Sequence, residues 1–527
     1  MSTREFFLAK VNQIKNGEMK MFKVDETEIL VVKIQDKFFA VGAHCTHYGA
    51  PLEEGVLSDD RVVCPWHHAC FHAKTGNLLE PPARDALPGY ELRIDGEDIY
   101  VLVPQERDSH RTPELARQDL SRDSRTFAIL GAGAAGYAAA QALREDGFQG
   151  RIVMITHEKR NPYDRPNLSK EYLQGEAEEE WMPLRPAEFF QENHIELLFE
   201  RRVKSVLVED KKIGFSDNET LSYDKILLAT GGIARTLSLP GSGLDNIFTL
   251  RSFEDSDRII AASENASKVV IVGASFIGLE TAHSLRHRKL DVTVVAPESS
   301  PFEYVFGKEI GEWFRTLHES NGVEFRLGQS LDKFEGDGVV KSVVLKNGEK
   351  LEADLVVVGI GVSPATDFLE GIDLEADGSV NVDQYFQAAH DVYAAGDIAT
   401  FPYWYSGSDI RIEHWRTAEQ LGRIAAHTMA GKKTAYKSIP FFWTGQAGIN
   451  FRYVGFAKKW DEIIVNGKIA DKKFIAYYVK DNEVHAAASC NRDKEMAAIE
   501  ELMRLKKMPT PEKLKSGSVD LVSLLGE

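Results

Sequence analysis

The chain has 527 residues, 43% apolar and 27% charged, a balance that fits a folded protein of three or four domains and excludes collagenous, disordered and coiled-coil chains. Its 81 acidic and 63 basic residues leave a net charge of −18, which offers nothing to nucleic-acid phosphates or an anionic membrane surface. No apolar run reaches the roughly 18 residues of a membrane span, and MSTREFFLAK carries neither a secretory nor a transit signal, so a cytoplasmic protein is expected.

Residues 1–104 read as strands and turns. EILVVKI, KFFAVGA, RVVCP and IYVLVP are separated by Gly, Pro and Asp clusters, which predicts an all-β domain. Cys45, Cys64 and Cys70 fall here, and only Cys490 lies elsewhere. Clustered cysteines in a reducing compartment suit metal binding or redox chemistry better than a disulfide framework. Cys45-Thr-His47 and Cys64-Pro-Trp-His67 each offer one thiolate and one imidazole from a tight turn. Two such turns facing each other meet the needs of a 2Fe–2S cluster, with thiolates on one iron and neutral imidazoles on the other. The competing reading is a structural zinc site of two Cys and two His. Zinc fingers pair like ligands on a ββα unit, however, whereas each turn here mixes the types. Cys70 reads as a small buried residue, and His44, His68 and His72 as surface or supporting histidines.

The stretch 105–125, QERDSHRTPELARQDLSRDSR, is polar and reads as a linker. Strands and helices then alternate. TFAIL leads into Gly131-Ala-Gly133-Ala-Ala-Gly136, the helix YAAAQALRED and the strand RIVMIT, with Glu158 beyond it as a ribose partner. Glycines at this spacing allow a tight turn and bring a pyrophosphate close to the N–H groups of a helix N-terminus. The same grammar returns at 268–298. KVVIV leads into Gly273-Ala-Ser275-Phe-Ile-Gly278-Leu-Glu280, and LDVTVVAPE ends at Glu298. Serine in place of the middle glycine tightens access without abolishing it. No Lys or Arg stands between Asp291 and Glu303 to take a 2′-phosphate, which favours NADH over NADPH. LEADLVVVGIGVSP, with Gly361 in its turn, and VYAAGDIATFP read as further buried strands. Beyond about 432, IPFFWTGQAGINFRYVGFA, EIIVNG, KFIAYYVK and EVHAAASC predict antiparallel strands before the helix AAIEELMRLKK.

The expected fold is therefore multidomain. An all-β domain (1–104) and a linker (105–125) precede an α/β Rossmann-like dinucleotide domain in two parts (126–244 and 365–431). A second domain of the same type (245–364) stands between those parts, and an α+β domain (432–527) closes the chain.

The turns His44-Cys45-Thr-His47-Tyr-Gly-Ala-Pro-Leu and Cys64-Pro-Trp-His67-His-Ala-Cys-Phe resemble Rieske domains. Ala50 and Trp66 stand where respiratory Rieske proteins carry a bracing disulfide, so the likeness is to the ferredoxin type. Asn-Pro-Tyr-Asp-Arg165-Pro-Asn-Leu-Ser-Lys170, Ala229-Thr230-Gly231-Gly232 and Ala395-Gly396-Asp397 occur in the order found in two-dinucleotide flavoprotein reductases. The set resembles oxygenase-type ferredoxin reductases and the apoptosis-inducing-factor family, here with a fused Rieske domain. The resemblance implies FAD for the first dinucleotide domain and NAD(P) for the second. It implies a flavin at the first site, with Asp397 at the ribityl chain, Arg165 and Lys170 along the pyrophosphate and isoalloxazine, and Thr230 and Gly231 beside them. It implies a nicotinamide nucleotide at the second, held by Gly273, Ser275, Gly278, Glu298 and Gly361. Glu280 would sit near the nicotinamide and pair with Lys170, making these two the candidate catalytic residues. Hydride transfer from NADH needs no proton base, so their expected role is positional. Glu413, His414 and Trp415 would mark the return to the flavin domain, and Trp443 would approach the flavin.

The implied activity passes electrons from NADH through FAD to the 2Fe–2S cluster and on to an unidentified acceptor, a protein or an oxygenase. The alternative is a redox-responsive interaction protein, monomer or homodimer, whose flavin reduction changes conformation or oligomeric state. No cysteine occurs between residues 126 and 489, which excludes a disulfide beside the flavin. Electron transfer requires the His47–His67 edge to face the FAD or C-terminal domain.

Overall fold

The computed structural model describes residues 3–106 and 108–526. In the N-terminal domain a six-stranded antiparallel sheet runs in the order Thr3–Lys10, Asp98–Pro104, Gly89–Asp95, Lys37–Gly42, Thr27–Ile34, Met19–Val24. Ile99, Val101 and Val103 alternate inward along one strand, the period that a half-buried sheet dictates. A second sheet, Val56–Ser58, Arg61–Val63, Cys70–His72, Leu78–Glu80, carries the Cys64–His67 turn between its second and third strands, while the Cys45–His47 turn follows the strand Lys37–Gly42 of the first sheet. Those turns are closed by backbone bonds from Cys45 N to Ala50 O and from Cys64 N to Ala69 O, both 2.9 Å.

The described residues of the polar stretch 105–125 form no regular helix or strand, but they are pinned. Ala86 and Arg111 exchange backbone bonds of 3.0 and 2.9 Å, Ala116 N donates to Arg144 O, and Asp119 N donates to Gln149 O. Leu115 packs on the core. Isolated bonds of this kind leave no periodicity in a sequence, so the segment reads there as a free tether.

Two parallel sheets follow. The first has the order Ile195–Leu198, Arg151–Ile155, Thr126–Leu130, Lys225–Leu228, Val392–Ala394, with Gln387–Ala389 added antiparallel at the edge. The second has the order Ile247–Phe248, Leu355–Val358, Lys268–Val272, Asp291–Ala296, Val323–Leu327. Near-continuous Val, Ile and Leu in these strands reflects burial on both faces. The helix Lys308–Ser320, which carried no motif, buries Ile310, Phe314 and Leu317 at helical spacing. A five-stranded antiparallel sheet, Phe441–Gln446, Ile449–Gly455, Glu483–Cys490, Lys473–Lys480, Glu462–Lys468, and the helix Asp493–Arg504 close the chain. One apolar cluster runs from Val56 and Val63 through Phe127 and Leu143 to Phe441 and Leu502, so the N-terminal domain shares a core with the rest.

Candidate functional site

The two cysteine–histidine turns face each other. Cys45 and Cys64 are buried and their thiols hydrogen-bond. Backbone N–H groups of His47 and Tyr48 point at the Cys45 sulfur, and those of Trp66 and His67 at the Cys64 sulfur, and each pair favours a thiolate. At Cys45 the Cys64 thiol and burial prevail and hold the pKa well above the usual thiol range. Burial opposes ionisation of Cys64, but the Cys45 thiol and the two N–H groups outweigh it and the pKa falls. His47 Nδ1 lies 3.1 Å from His67 Nδ1. Burial lowers the pKa of His47 to about 3 and holds His67 well below the usual imidazole range, so both are neutral ligands in waiting. Among the described residues no three His, Cys, Asp or Glu side chains gather to hold a single metal ion. The donors form one thiol pair and one imidazole pair, the division that a two-iron cluster needs and a tetrahedral zinc ion does not. Cys70 is fully buried, and burial pushes its thiol far up. Among the described residues all four cysteines are free.

At the first glycine turn the three glycines do different work. Gly131 sits at φ +112°, and a Cβ there would lie 2.2 Å from Ala229 O. A Cβ on Gly136 would lie 1.9 Å from Gly131 O, so this glycine sets the contact of helix and strand. A Cβ on Gly133 would meet nothing within 4 Å. Gly133 caps the helix Ala134–Glu145, and its open side leaves a cradle at the helix N-terminus that fits a pyrophosphate. Glu158 accepts from Tyr163 Oη at 2.6 Å and from Arg165 at 2.8 Å. Burial raises its pKa, but Arg165 and Tyr163 bring the net value below the ordinary one. Arg165 also reaches Arg251 O, and Arg251 donates to Asp397 at 2.7 Å. Arg251 belongs to no motif, yet it links the Arg165 loop to Asp397.

Gly231 takes φ +68°, and Thr230 Oγ1 donates to Ala365 O at 2.7 Å. Glu413 accepts from Arg411 at 2.6 Å. The His414 ring lies 4.3 Å from that of Phe442 at a tilt of 47°, with its Nδ1 buried and unpartnered among the described residues, and desolvation lowers its pKa to about 4. Trp415 is the first residue of the helix Trp415–Met429 and is half-buried.

The second turn repeats the first. Gly273 sits at φ +111° with Gly359 O where a Cβ would go, and Gly278 packs on Gly273 O. Ser275 caps the helix Phe276–His287 with no side-chain cap bond. Gly361, at φ +94°, has open space around it. Glu298 lies just past the strand Asp291–Ala296 and is half-buried.

The helix after the second turn meets the Lys170 loop and the C-terminal sheet at Glu280, which is 4% exposed. Its carboxylate accepts from Lys170 Nζ at 2.8 Å, Ser169 Oγ at 2.5 Å and Thr444 Oγ1 at 2.6 Å. Ser169 and Thr444 went unnoticed in the sequence because a lone hydroxyl carries no spacing signal. On the next residue of the same strand as Thr444, the Trp443 ring lies 4.4 Å from the His67 ring and 6.4 Å from that of His47. The imidazole edge thus faces the C-terminal sheet within one chain.

Polar contacts fix that arrangement. Arg452 donates to Trp66 O at 3.0 Å, and Arg61 pairs with Glu501 at 3.2 Å. Arg416 donates to Pro81 O at 2.9 Å, and Arg185 holds Asp85 at 2.7 Å. His68 is fully buried, bonded to Glu500 and stacked on Phe441 at 3.8 Å.

Comparison with known proteins accounts for nearly all of the chain. Residues 4–91 match the Rieske [2Fe-2S] domain, 125–422 the pyridine nucleotide-disulphide oxidoreductases and 441–525 the reductase C-terminal domain. Apoptosis-inducing factor 3 of Homo sapiens is 38% identical over 510 residues, 95% of this chain and 84% of that one. The ferredoxin–NAD(+) reductase subunit of the benzene 1,2-dioxygenase system of Pseudomonas putida is 32% identical over 388 residues, 73% of this chain and 94% of its own. A putidaredoxin reductase–putidaredoxin complex superposes with TM-score 0.73 at 28% identity, covering 76% of this chain and 98% of the other. A ferredoxin reductase from Rhodopseudomonas palustris gives 0.72 at 31% identity, covering 76% of this chain and 99% of its own. Among the described residues no helix is long and apolar enough to cross a membrane. The chain belongs to the pyridine nucleotide-disulphide oxidoreductase family, as an NAD(P)H-dependent FAD reductase of the ferredoxin reductase and apoptosis-inducing-factor type with a fused Rieske 2Fe–2S domain.

Proposed function

We propose that electrons from NADH enter at the Lys170–Glu280 side of the flavin site and leave through the His47–His67 edge of the same chain, bound for an acceptor outside it. FAD supplies hydride acceptance and one-electron release, and the 2Fe–2S cluster supplies one-electron storage. The protein's part is position. Gly131, Gly133 and Gly136 present a helix N-terminus to the FAD pyrophosphate, Glu158 with Arg165 takes the adjoining ribose, and Asp397, steadied by Arg251, takes the ribityl chain. Thr230 and Gly231 shape the floor, and Glu413, His414 and Trp415 bring the helix Trp415–Met429 up to the ring. Gly273, Ser275, Gly278 and Gly361 receive the dinucleotide, with Glu298 as its ribose partner and a preference for NADH.

Glu280 already has three donors, so its part is to orient Lys170. Cys45, Cys64, His47 and His67 hold the cluster. The division of the chain proposed with this reading follows the expected boundaries: Rieske domain to 104, linker to 125, FAD domain interrupted by the NAD(P) domain at 245–364, and a C-terminal domain from 432.

The observation that carries the proposal is the 4.4 Å approach of Trp443 to His67. Stopped-flow mixing of the holoprotein with NADH under anaerobic conditions tests it. The cluster band should bleach within one turnover, at a rate independent of protein concentration. A rate proportional to concentration would mean that transfer occurs between chains.

A further inference from the structure

Tyr48 follows the ligand His47 on the Rieske domain but reaches across to the flavin domain. Its ring lies 4.1 Å from that of His47 and 5.7 Å from that of His67. Its hydroxyl donates to Asp164 and accepts from Asn167 Nδ2 at 3.5 Å. Both partners belong to the loop 161–170, whose Arg165 and Lys170 hold Glu158 and Glu280. The ring is nevertheless 49% exposed. A side chain that served only to glue two domains would be covered by them. A ring pinned at its base and its tip and still about half exposed is instead placed to line a bound ligand. Two other groups of that loop have spare hydrogen-bonding capacity among the described residues: Asn167 Oδ1 is buried and unpaired, and Lys170 Nζ donates to Glu280 and Pro166 O.

We propose that Tyr48 is a flavin-pocket residue supplied by the Rieske domain, so that FAD binding and Rieske docking stabilise each other. The inference rests on the placement of FAD at the first glycine turn. A ligand that touches both domains binds the docked form more tightly, and by reciprocity the docked form holds the ligand more tightly. The isolated flavin motifs are then only part of the site.

The test uses the full chain with its cluster intact and its flavin removed. FAD is titrated back by its fluorescence, and hydrogen exchange is followed at 44–50. Tyr48→Phe deletes the hydroxyl and should raise the FAD Kd roughly threefold to tenfold, the scale of one ordinary hydrogen bond. Arg61→Met weakens docking at a point remote from the flavin motifs, while Arg504 still holds Glu501. It should raise the Kd as well, by about twofold or more for a partly buried ion pair. FAD should slow exchange at 44–50. Weakening confined to Tyr48→Phe or absent from both variants, or exchange at 44–50 that ignores FAD, overturns the proposal. Asp397→Ala separates this failure from that of the flavin site itself. If Asp397→Ala keeps FAD at wild-type affinity, the placement of the flavin is wrong and this proposal falls with it. If it loses FAD while the other two variants do not, the coupling alone is wrong.

Discussion

Gly131 and Gly133 are two residues apart in one motif, and their environments predict opposite outcomes on substitution. Alanine at 131 must adopt φ +112° with its Cβ against Ala229 O, so the strand-to-helix turn has to open. Gly131→Ala should lower thermal stability by the several kcal/mol typical of a strained backbone site, about 2–4, and release FAD as a consequence. Alanine at 133 meets no protein atom, and its cost to the fold is that of a poor helix cap, about 1 kcal/mol or less. Gly133→Ala should keep nearly the wild-type melting temperature in the flavin-free protein and still bind FAD poorly, because the added methyl occupies the cradle. Melting curves with and without FAD distinguish the two. At this scale the sequence was informative. A glycine forced by a neighbouring carbonyl, or a Cys and a His two positions apart on a turn, is a local matter and shows in the local pattern. Arg251, Ser169 and Thr444 were silent, because each acts through a partner from another segment.

The helices Ala134–Glu145 and Trp415–Met429 lie in backbone contact, since a Cβ on Gly422 would fall 2.1 Å from Ala135 O. Their ends are clamped by Glu145 to Arg423 at 2.7 Å and by Asp146 to His427 and Lys432 at 2.5 and 2.9 Å. Burial raises the Asp146 pKa, but His427 and Lys432 more than compensate and the net value falls below that of a free aspartate. A carboxyl with a depressed folded pKa contributes stability above its unfolded pKa and loses that contribution as pH falls through the folded value. Asp146→Asn should therefore cost about 1–2 kcal/mol near neutrality. The difference from wild type should shrink as pH drops below about 4, and denaturant melts across that range measure it.

The resemblance made the start of the helix Trp415–Met429 legible in the sequence, through Glu413, His414 and Trp415. The face this helix turns to the Rieske domain was not, because that face is polar. Arg416, Glu500 and Glu501 are 1%, 3% and 0% exposed, yet in a sequence they look like charges on a solvated surface. His68 was left between a surface and a supporting role for the same reason: its partner is a carboxylate 432 residues away.

For the molecule as a whole, the domain contact sets how electron transfer responds to salt. Arg185–Asp85, at 9% and 12% exposed, and Arg61–Glu501, at 19% and 1%, lie inside the junction. Raising salt from 0.1 to 1 M shortens the screening length from about 10 to 3 Å, but buried pairs are screened much less than exposed ones. The NADH-driven rate of cluster reduction should thus change by less than about twofold over that range, given saturating NADH. A steep fall would show that exposed charges hold the domains together.

The pinned segment 105–125 has a consequence of another kind. Reductases that hand electrons to a separate ferredoxin depend on how many copies of each partner a cell makes. When the ferredoxin is scarce, electrons back up on the flavin; when it is in surplus, most copies wait uncharged. Here one reading frame makes both, so the ratio is one to one in every compartment, at every expression level and after any dilution. Supply and demand between the flavin and its first acceptor are settled at translation, and only the second acceptor, beyond the Rieske domain, is left for the cell to adjust.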